Sequence, residues 1–273
     1  MKKIGFVDYY ISEWHAENYP DWIKAASLRL GGEEFSVAYA YAELDVSPLN
    51  GESTAEWCER RGIEMCASID ELCERSDFII VLAPSNPEVH PRLAEAVLKH
   101  GKPTYIDKTF AASVADAEYI FAAAEKYGTP FFSSSALRYA AELSGKSGIS
   151  RIITTGGGSN APEYIIHQIE MVVKMLGIGA CGVEANKKGD EIVFNVSYPD
   201  SRFATMIYGS AYGFTAYLAK DGGKPEFCKI DSDFFAGLIE DIIRFFKSGK
   251  HPFDPSETLE VMKIRELALN SLE

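Results

Sequence analysis

The chain has 273 residues, 47% hydrophobic and 25% charged, which suits one large or two moderate globular domains with a substantial core. A formal charge of −13 repels phosphates, so nucleic acid and anionic membrane surfaces are excluded as expected partners. The longest apolar run, Phe78 to Ala83, is far short of the roughly twenty residues of a membrane span, and "IGFV" is cut off by Asp8 before it forms a signal core, so the expected address is cytoplasmic.

In chain order, "KIGFVD" (3–8) reads as a first strand, followed by a helix with Trp14, Trp22, Ile23 and Leu28 that closes at Gly31-Gly32. "FSVAYAYA" (35–42) is the second strand. Ser53-x-x-Glu56 is a capping box that opens a short helix ending near Gly62, and "GIEMC" is a short strand. Ser68-x-x-Glu71 opens another helix, and "DFIIVLAP" (77–84) is a buried strand by its unbroken apolar run. A helix over 90–99, a strand "KPTYID" (102–107), a helix from Ser113 to Tyr127 and a strand near 129–135 follow. This alternation predicts βαβ units and a mostly parallel sheet.

Beyond about residue 138 the rhythm changes. "ISRIITTG", "CGVEANK", "EIVFNVSYP", "SRFATMIYG" and "FTAYLAK" are strand-like, and the last four follow one another without helices, which predicts a largely antiparallel sheet. Residues 232–247 carry an apolar helical stripe, and Asp254-Pro255-Ser256-Glu257 opens the last helix. The expected architecture is therefore α/β: a Rossmann-like domain over 1–137 and an α+β domain with an open sheet over 138–273. Five cysteines (Cys58, Cys66, Cys73, Cys181, Cys228) are odd in number and match no metal-ligand spacing, so they read as reduced structural thiols, and no metal site is expected.

Two segments carry candidate chemistry. Asn86, in the loop after one parallel strand, and Lys108, just after the next, fall at the carboxyl ends where open α/β sheets bind ligands. From position alone, Lys108 is more often a solvated lysine at a strand end than a functional one. In "EYIIHQIEMVVK", Glu163, His167 and Glu170 share one helix face amid apolar neighbours. The stripe is either a histidine base flanked by orienting acids or a surface ion-pair row that includes Lys174. Ser133 to Ser135, Arg138 and Tyr139 lie at the domain junction, as cleft-lining or connector residues.

"APSNPEVHPRLAEAVLKHGKPTYIDKT", "EYIIHQIE" and the closing "SETLEVMKIRELALNSLE" resemble, in order and spacing, the glucose–fructose oxidoreductase / inositol dehydrogenase / MocA (Gfo/Idh/MocA) family. The resemblance covers nearly the whole chain and implies hydride transfer between a hydroxyl carbon of a sugar or polyol and NAD or NADP. It identifies Lys108 as the cation that stabilises the developing alkoxide, His167 as the base, and Glu163 and Glu170 as the accompanying acids. Glu163 is then catalytic, while Glu170, Arg138 and Tyr139 face substrate; Glu43, Ser85, Asn86 and Asp107 are the candidate cofactor contacts.

The first strand–helix turn departs from that pattern. Where a Gly-x-Gly-x-x-Gly turn lets a pyrophosphate approach the backbone, this chain has Asp8, Tyr10 and Ser12 or Glu13. Asp8 and Glu13 place negative charge at a helix end that should attract an anion, and they can cap that end themselves. Tyr9, Tyr10, Trp14, Tyr19 and Trp22 are either core or fill the space of the missing phosphates. Two readings follow: an oxidoreductase that holds its nicotinamide atypically, and a cofactor-free sugar- or polyol-binding or sensing protein on the same fold. An apolar face on strands such as "RFATMIYG" predicts a homodimer or homotetramer through the C-terminal sheet.

Overall fold

The computed structural model describes residues 1–32 and 34–272. Strand β1 (Lys2–Asp8) is buried from Ile4 onward, which explains its continuous apolar run. It pairs in parallel with β2 (Phe35–Ala42) on one side and β4 (Phe78–Val81) on the other. With β3 (Glu64–Met65), β5 (Thr104–Ile106) and β6 (Phe131–Phe132) they form a six-stranded parallel sheet in the order β3-β2-β1-β4-β5-β6. The connecting helices are α1 (Trp14–Leu30), α2 (Thr54–Arg61), α3 (Ile69–Arg75), α4 (His90–Leu98) and α5 (Val114–Tyr127).

Their ends follow from local chemistry. Ser53 and Glu56 form the expected capping box on α2, and Ser68 and Ser113 accept amide hydrogens at the starts of α3 and α5. Gly62 and Gly128 close α2 and α5 in the left-handed conformation. Helix α3 lies so close to β1 that a Cβ on Gly5 would sit 2.4 Å from the Leu72 side chain.

The second sheet contains β7 (Arg151–Gly156), β8 (Gly182–Lys188), β9 (Glu191–Ser197), β10 (Phe203–Tyr208), β11 (Thr215–Ala219) and β12 (Glu226–Lys229). Its order is β12-β11-β7-β10-β9-β8, and every pairing is antiparallel except β7 with β10. Helix α6 (Ala161–Leu176) packs on one face. There Gln168 accepts from Thr154 at 2.7 Å and donates to the Gly156 and Ile207 carbonyls, each at 3.2 Å. A Cβ on Gly157 would stand 2.3 Å from the Gly209 carbonyl oxygen, so only glycine lets these two segments approach. Helices α7 (Phe234–Ser248) and α8 (Ser256–Asn270) complete the chain.

Two compact units result: Met1–Ser133 with Ile239–Pro252, and Ser134–Leu238 with Phe253–Glu273. The expected cut after residue 137 falls inside a 3-10 turn, Ala136–Tyr139, of the second unit. Residues 239–252 belong with the first unit because of their aromatic face: Phe246 stacks on Phe78 with centroids 4.6 Å apart, and Phe245 meets Phe132 edge-on at 5.0 Å. Strand β12, absent from the sequence-based elements, pairs with β11.

Candidate functional site

In the first unit the strand order reverses between β1 and β4, the switch point where open α/β sheets take ligands. The carboxyl ends there present Asp8, the Ala83–Asn86 loop, and Asp107 with Lys108. Helix α1 begins at this switch point, and Glu13 is its N-cap. The Glu13 carboxylate accepts from the His15 amide at 2.7 Å and from the Ala16 amide. Those donors are the ones a helix N-terminus offers to a phosphate. Glu13 is buried, and burial raises its pKa.

Asp8, also buried, accepts through Oδ1 from the Tyr9 amide at 2.7 Å and the Ala83 amide at 3.0 Å. Its Oδ2 is buried with no hydrogen-bond partner among the described residues. Burial, then the charge of Glu13, push the Asp8 pKa well above the ordinary carboxyl value. A pyrophosphate in the usual pose does not fit this turn: its donors are already used by a side chain, and acids replace the cradle.

Asp107 is the hub below the turn. It accepts from the His15 ring, from Tyr105 Oη at 3.1 Å, from Tyr19 Oη at 3.4 Å and from the Lys108 amide at 2.8 Å. Burial pushes its pKa up, yet the His15 ring, Lys108 and these hydrogen bonds outweigh it and hold it below the usual value. The Lys108 ammonium donates to the Pro84 carbonyl at 3.3 Å. Glu43 stands at the end of β2 in a two-bond ion pair with Arg92, at 2.6 and 2.9 Å. Asn86 donates to Glu88 at 2.9 Å, and Ser85 precedes it in the same loop. The aromatic group divides: Tyr19 is fully buried and stacks on His15 with centroids 5.1 Å apart, whereas Trp14 is exposed.

An unpartnered buried carboxylate oxygen makes the charged form of Asp8 costly. Because its folded pKa is raised, its contribution to stability falls as pH rises from the ordinary carboxyl range through the folded value. Asp8→Asn keeps an acceptor for both amides and removes that slope. We expect it to stabilise the protein by about 1 kcal/mol at pH 8 and to give no gain near pH 4, by urea denaturation.

In the second unit Asn160 caps α6, and its side chain also donates to Glu163 at 3.2 Å. Glu163 and His167 are half-buried, and the His167 ring lies edge-on to Tyr164 and Phe214, at 5.7 and 5.9 Å between centroids. His167 Nδ1 lies 2.6 Å from the Ser135 hydroxyl. Glu170 turns elsewhere: it accepts from the Ser135 amide at 2.9 Å and from Arg138 Nη1 at 3.1 Å. Burial raises the Glu170 pKa even with Arg138 beside it.

Arg138 is also paired with Glu257 and lies over the Phe253 ring, 3.8 Å from its centroid. Arg138 and Glu170 are thus buried against each other. Tyr139 abuts Gly237, where a Cβ would come within 2.8 Å of the Tyr139 Cβ. Sequence reasoning singled out neither Ser135 as the partner of His167 nor Gln168 as the tie between α6 and the sheet. Among the described residues no cluster of His, Cys, Asp and Glu could hold a metal ion, and no helix is long and apolar enough to cross a membrane.

Residues 44–134 match the model of an oxidoreductase family with an NAD-binding Rossmann fold, GFO_IDH_MocA. A search of curated proteins gives no match. Among solved structures the chain is similar to a probable dehydrogenase from Thermotoga maritima, with 14% identity, 99% of this chain and 96% of the other covered, and a TM-score of 0.77. It is also similar to a putative myo-inositol dehydrogenase from Sinorhizobium meliloti 1021, at 11% identity, 100% and 97% coverage and a TM-score of 0.76. GenD2 from gentamicin A biosynthesis, solved in complex with NAD, matches at 12% identity, 99% and 94% coverage and a TM-score of 0.72. At these identities the structures speak to the fold, which is the expected α/β pair of sheets.

Proposed function

We propose that this chain is an NAD(P)-dependent oxidoreductase of the Gfo/Idh/MocA kind, the family whose model residues 44–134 match, and that it moves a hydride between a nicotinamide and an oxygen-bearing carbon of a sugar- or polyol-like substrate in the cytoplasm. The observation that carries this reading is Lys108, an ammonium at the carboxyl end of β5 within the matched segment. Such a charge favours an alkoxide as it develops. In the second unit His167 presents a half-buried ring capable of hydrogen bonding, and Glu163, one helical turn before it, shares its face. NAD or NADP would be held away from the α1 N-terminus, with Glu43, Ser85 and Asn86 as candidate contacts.

The Glu13 carboxylate in the phosphate seat favours a second reading, a cofactor-free sugar- or polyol-binding protein. Titration of the protein with NADH and with NADPH separates them. Saturable change in nicotinamide fluorescence below millimolar cofactor is expected. No change up to millimolar, together with thermal stabilisation by a polyol alone, would establish the second reading instead.

We also propose self-association through the second sheet. Ile153, Tyr217 and Phe227 are cross-strand neighbours on one face, and all three are exposed with Phe203. Native mass spectrometry of freshly purified protein reports retained cofactor and assembly size together; a monomer would remove this part.

A further inference from the structure

His90 opens helix α4 and is wholly buried. Its ring lies between backbone carbonyls from two different segments. Nε2 stands 2.5 Å from the Leu82 oxygen, just past β4, and Nδ1 stands 3.0 Å from the Phe110 oxygen, beyond β5. A carbonyl oxygen only accepts, so each of these bonds needs a proton on the ring nitrogen. A neutral imidazole carries one such proton and an imidazolium carries two. Both bonds are therefore made only by the charged ring. In the neutral ring the proton belongs on Nε2, because a lone pair 2.5 Å from an oxygen would be repelled most, and Nδ1 then faces Phe110 with its lone pair.

These two carbonyls bracket Lys108. Phe110 follows it by two residues, and Leu82 comes two residues before Pro84, whose carbonyl accepts from the Lys108 ammonium at 3.3 Å. We propose that His90 is the positioning residue of Lys108 and that a second ring proton completes its hold. The charged ring ties down both the chain that carries the lysine and the loop that its ammonium reaches. The neutral ring keeps the loop at Leu82 and releases the lysine side at Phe110.

Burial opposes the charged ring and sets the His90 pKa below the ordinary imidazole value, while the Leu82, Phe110 and Thr109 backbone and the charge of Asp107 favour it. Other charged groups on the surrounding elements are engaged elsewhere. On α4, Arg92 pairs with Glu43 and Glu95 accepts from Tyr119; in the turn before it, Glu88 accepts from Asn86. On α5, Asp116 accepts from Ser113, and Glu118, Glu125 and Lys126 are exposed. The proton on His90 thus changes how firmly Lys108 is held, with Asp107 as the countercharge. Its bearing on hydride transfer rests on the oxidoreductase reading; the hold on the two carbonyls does not.

Magnetic resonance of 13C- and 15N-labelled protein from about pH 8 to about pH 4.5 tests this, with the ring signals tied through bonds to the His90 backbone. At pH 8 we expect a proton on Nε2 and none on Nδ1. On acidification Nδ1 should gain its proton in one step below the ordinary value of about 6.5, the charged-to-neutral ratio rising tenfold per pH unit. The Phe110 carbonyl and Lys108 side-chain signals should move with that midpoint, while the Leu82 carbonyl keeps its hydrogen-bonded shift. Asp8 and Glu13, whose charges couple to Asp107 beside Lys108, have raised pKa values of their own. In His90→Gln the Lys108 step at the His90 midpoint should therefore vanish while theirs remain. Should that variant not fold, the reverse control, Asp8→Asn with Glu13→Gln, should keep the step. A bare Nε2 at pH 8, an Nδ1 still unprotonated at pH 4.5, or Lys108 signals that ignore the His90 step overturns the proposal. Because no cofactor or substrate enters the experiment, a negative result here leaves the oxidoreductase reading standing, and failure of that reading leaves this one intact.

Discussion

Arg138→Met is expected to lower the melting temperature by roughly 10 °C at pH 8. The Arg138 side chain is 7% exposed and its partner Glu170 is 5% exposed, so the pair lies almost wholly out of water. Removing one member of such a pair costs about 3–5 kcal/mol, because the other charge is stranded. A kilocalorie moves the midpoint of a domain of this size by about 2–4 °C. Met keeps much of the volume over Phe253, so the loss isolates the charge. The pH dependence gives the sharper test. Burial already raises Glu170, and without Arg138 it rises further, so the variant's deficit grows as pH rises through that value and shrinks in acid. Arg138→Met with Glu170→Leu should recover part of the loss, since no charge is then left unpaired. Calorimetry at pH 5 and pH 8 checks both points. A single variant within two or three degrees of the parent at pH 8 would show that the pair is not buried as described.

The parts of this molecule that were legible in the sequence are those governed by neighbours in the chain. The unbroken run at Phe78–Val81 marked a strand buried on both faces, and Ser53-x-x-Glu56 marked a helix start, because both signals act within a few residues. The acidic turn was legible for the same reason: a carboxylate beside a helix N-terminus finds the amides next to it, as Glu13 does.

What was hidden lies in contacts between distant segments. Helical spacing put Glu163, His167 and Glu170 on one face, but no periodicity says that His167 meets Ser135 or that Glu170 turns to Arg138. Strand β12 was missed because Glu226–Lys229 is short and its pairing with β11 supplies its order. The return of residues 239–252 to the first unit is written in Phe245 and Phe246, whose partners Phe132 and Phe78 lie more than a hundred positions earlier.

Asp107→Ala is expected to cost about 4 kcal/mol near neutral pH, again roughly 10 °C. It removes an acceptor shared by the buried Tyr19 and Tyr105 hydroxyls and the His15 ring, and each buried donor that loses its partner costs about 1–3 kcal/mol. Asp107→Asn is milder, since it keeps one acceptor oxygen for the Lys108 amide, but it removes the charge that His15 and Lys108 balance.

The sign with pH follows from the direction of the shift. The folded-state pKa of Asp107 is lowered, so its contribution is complete above the ordinary carboxyl range and is lost as pH falls through the folded value. Asp8 and Glu13 shift the other way and lose their contribution as pH rises. The gap between parent and Asp107→Asn should therefore hold level from pH 7 down to the ordinary carboxyl range and narrow below it, with the neighbouring acids common to both chains. Urea denaturation followed by intrinsic fluorescence across that range measures it. A gap that stays constant or widens on acidification would mean that Asp107 is not held as the charged hub of this cluster.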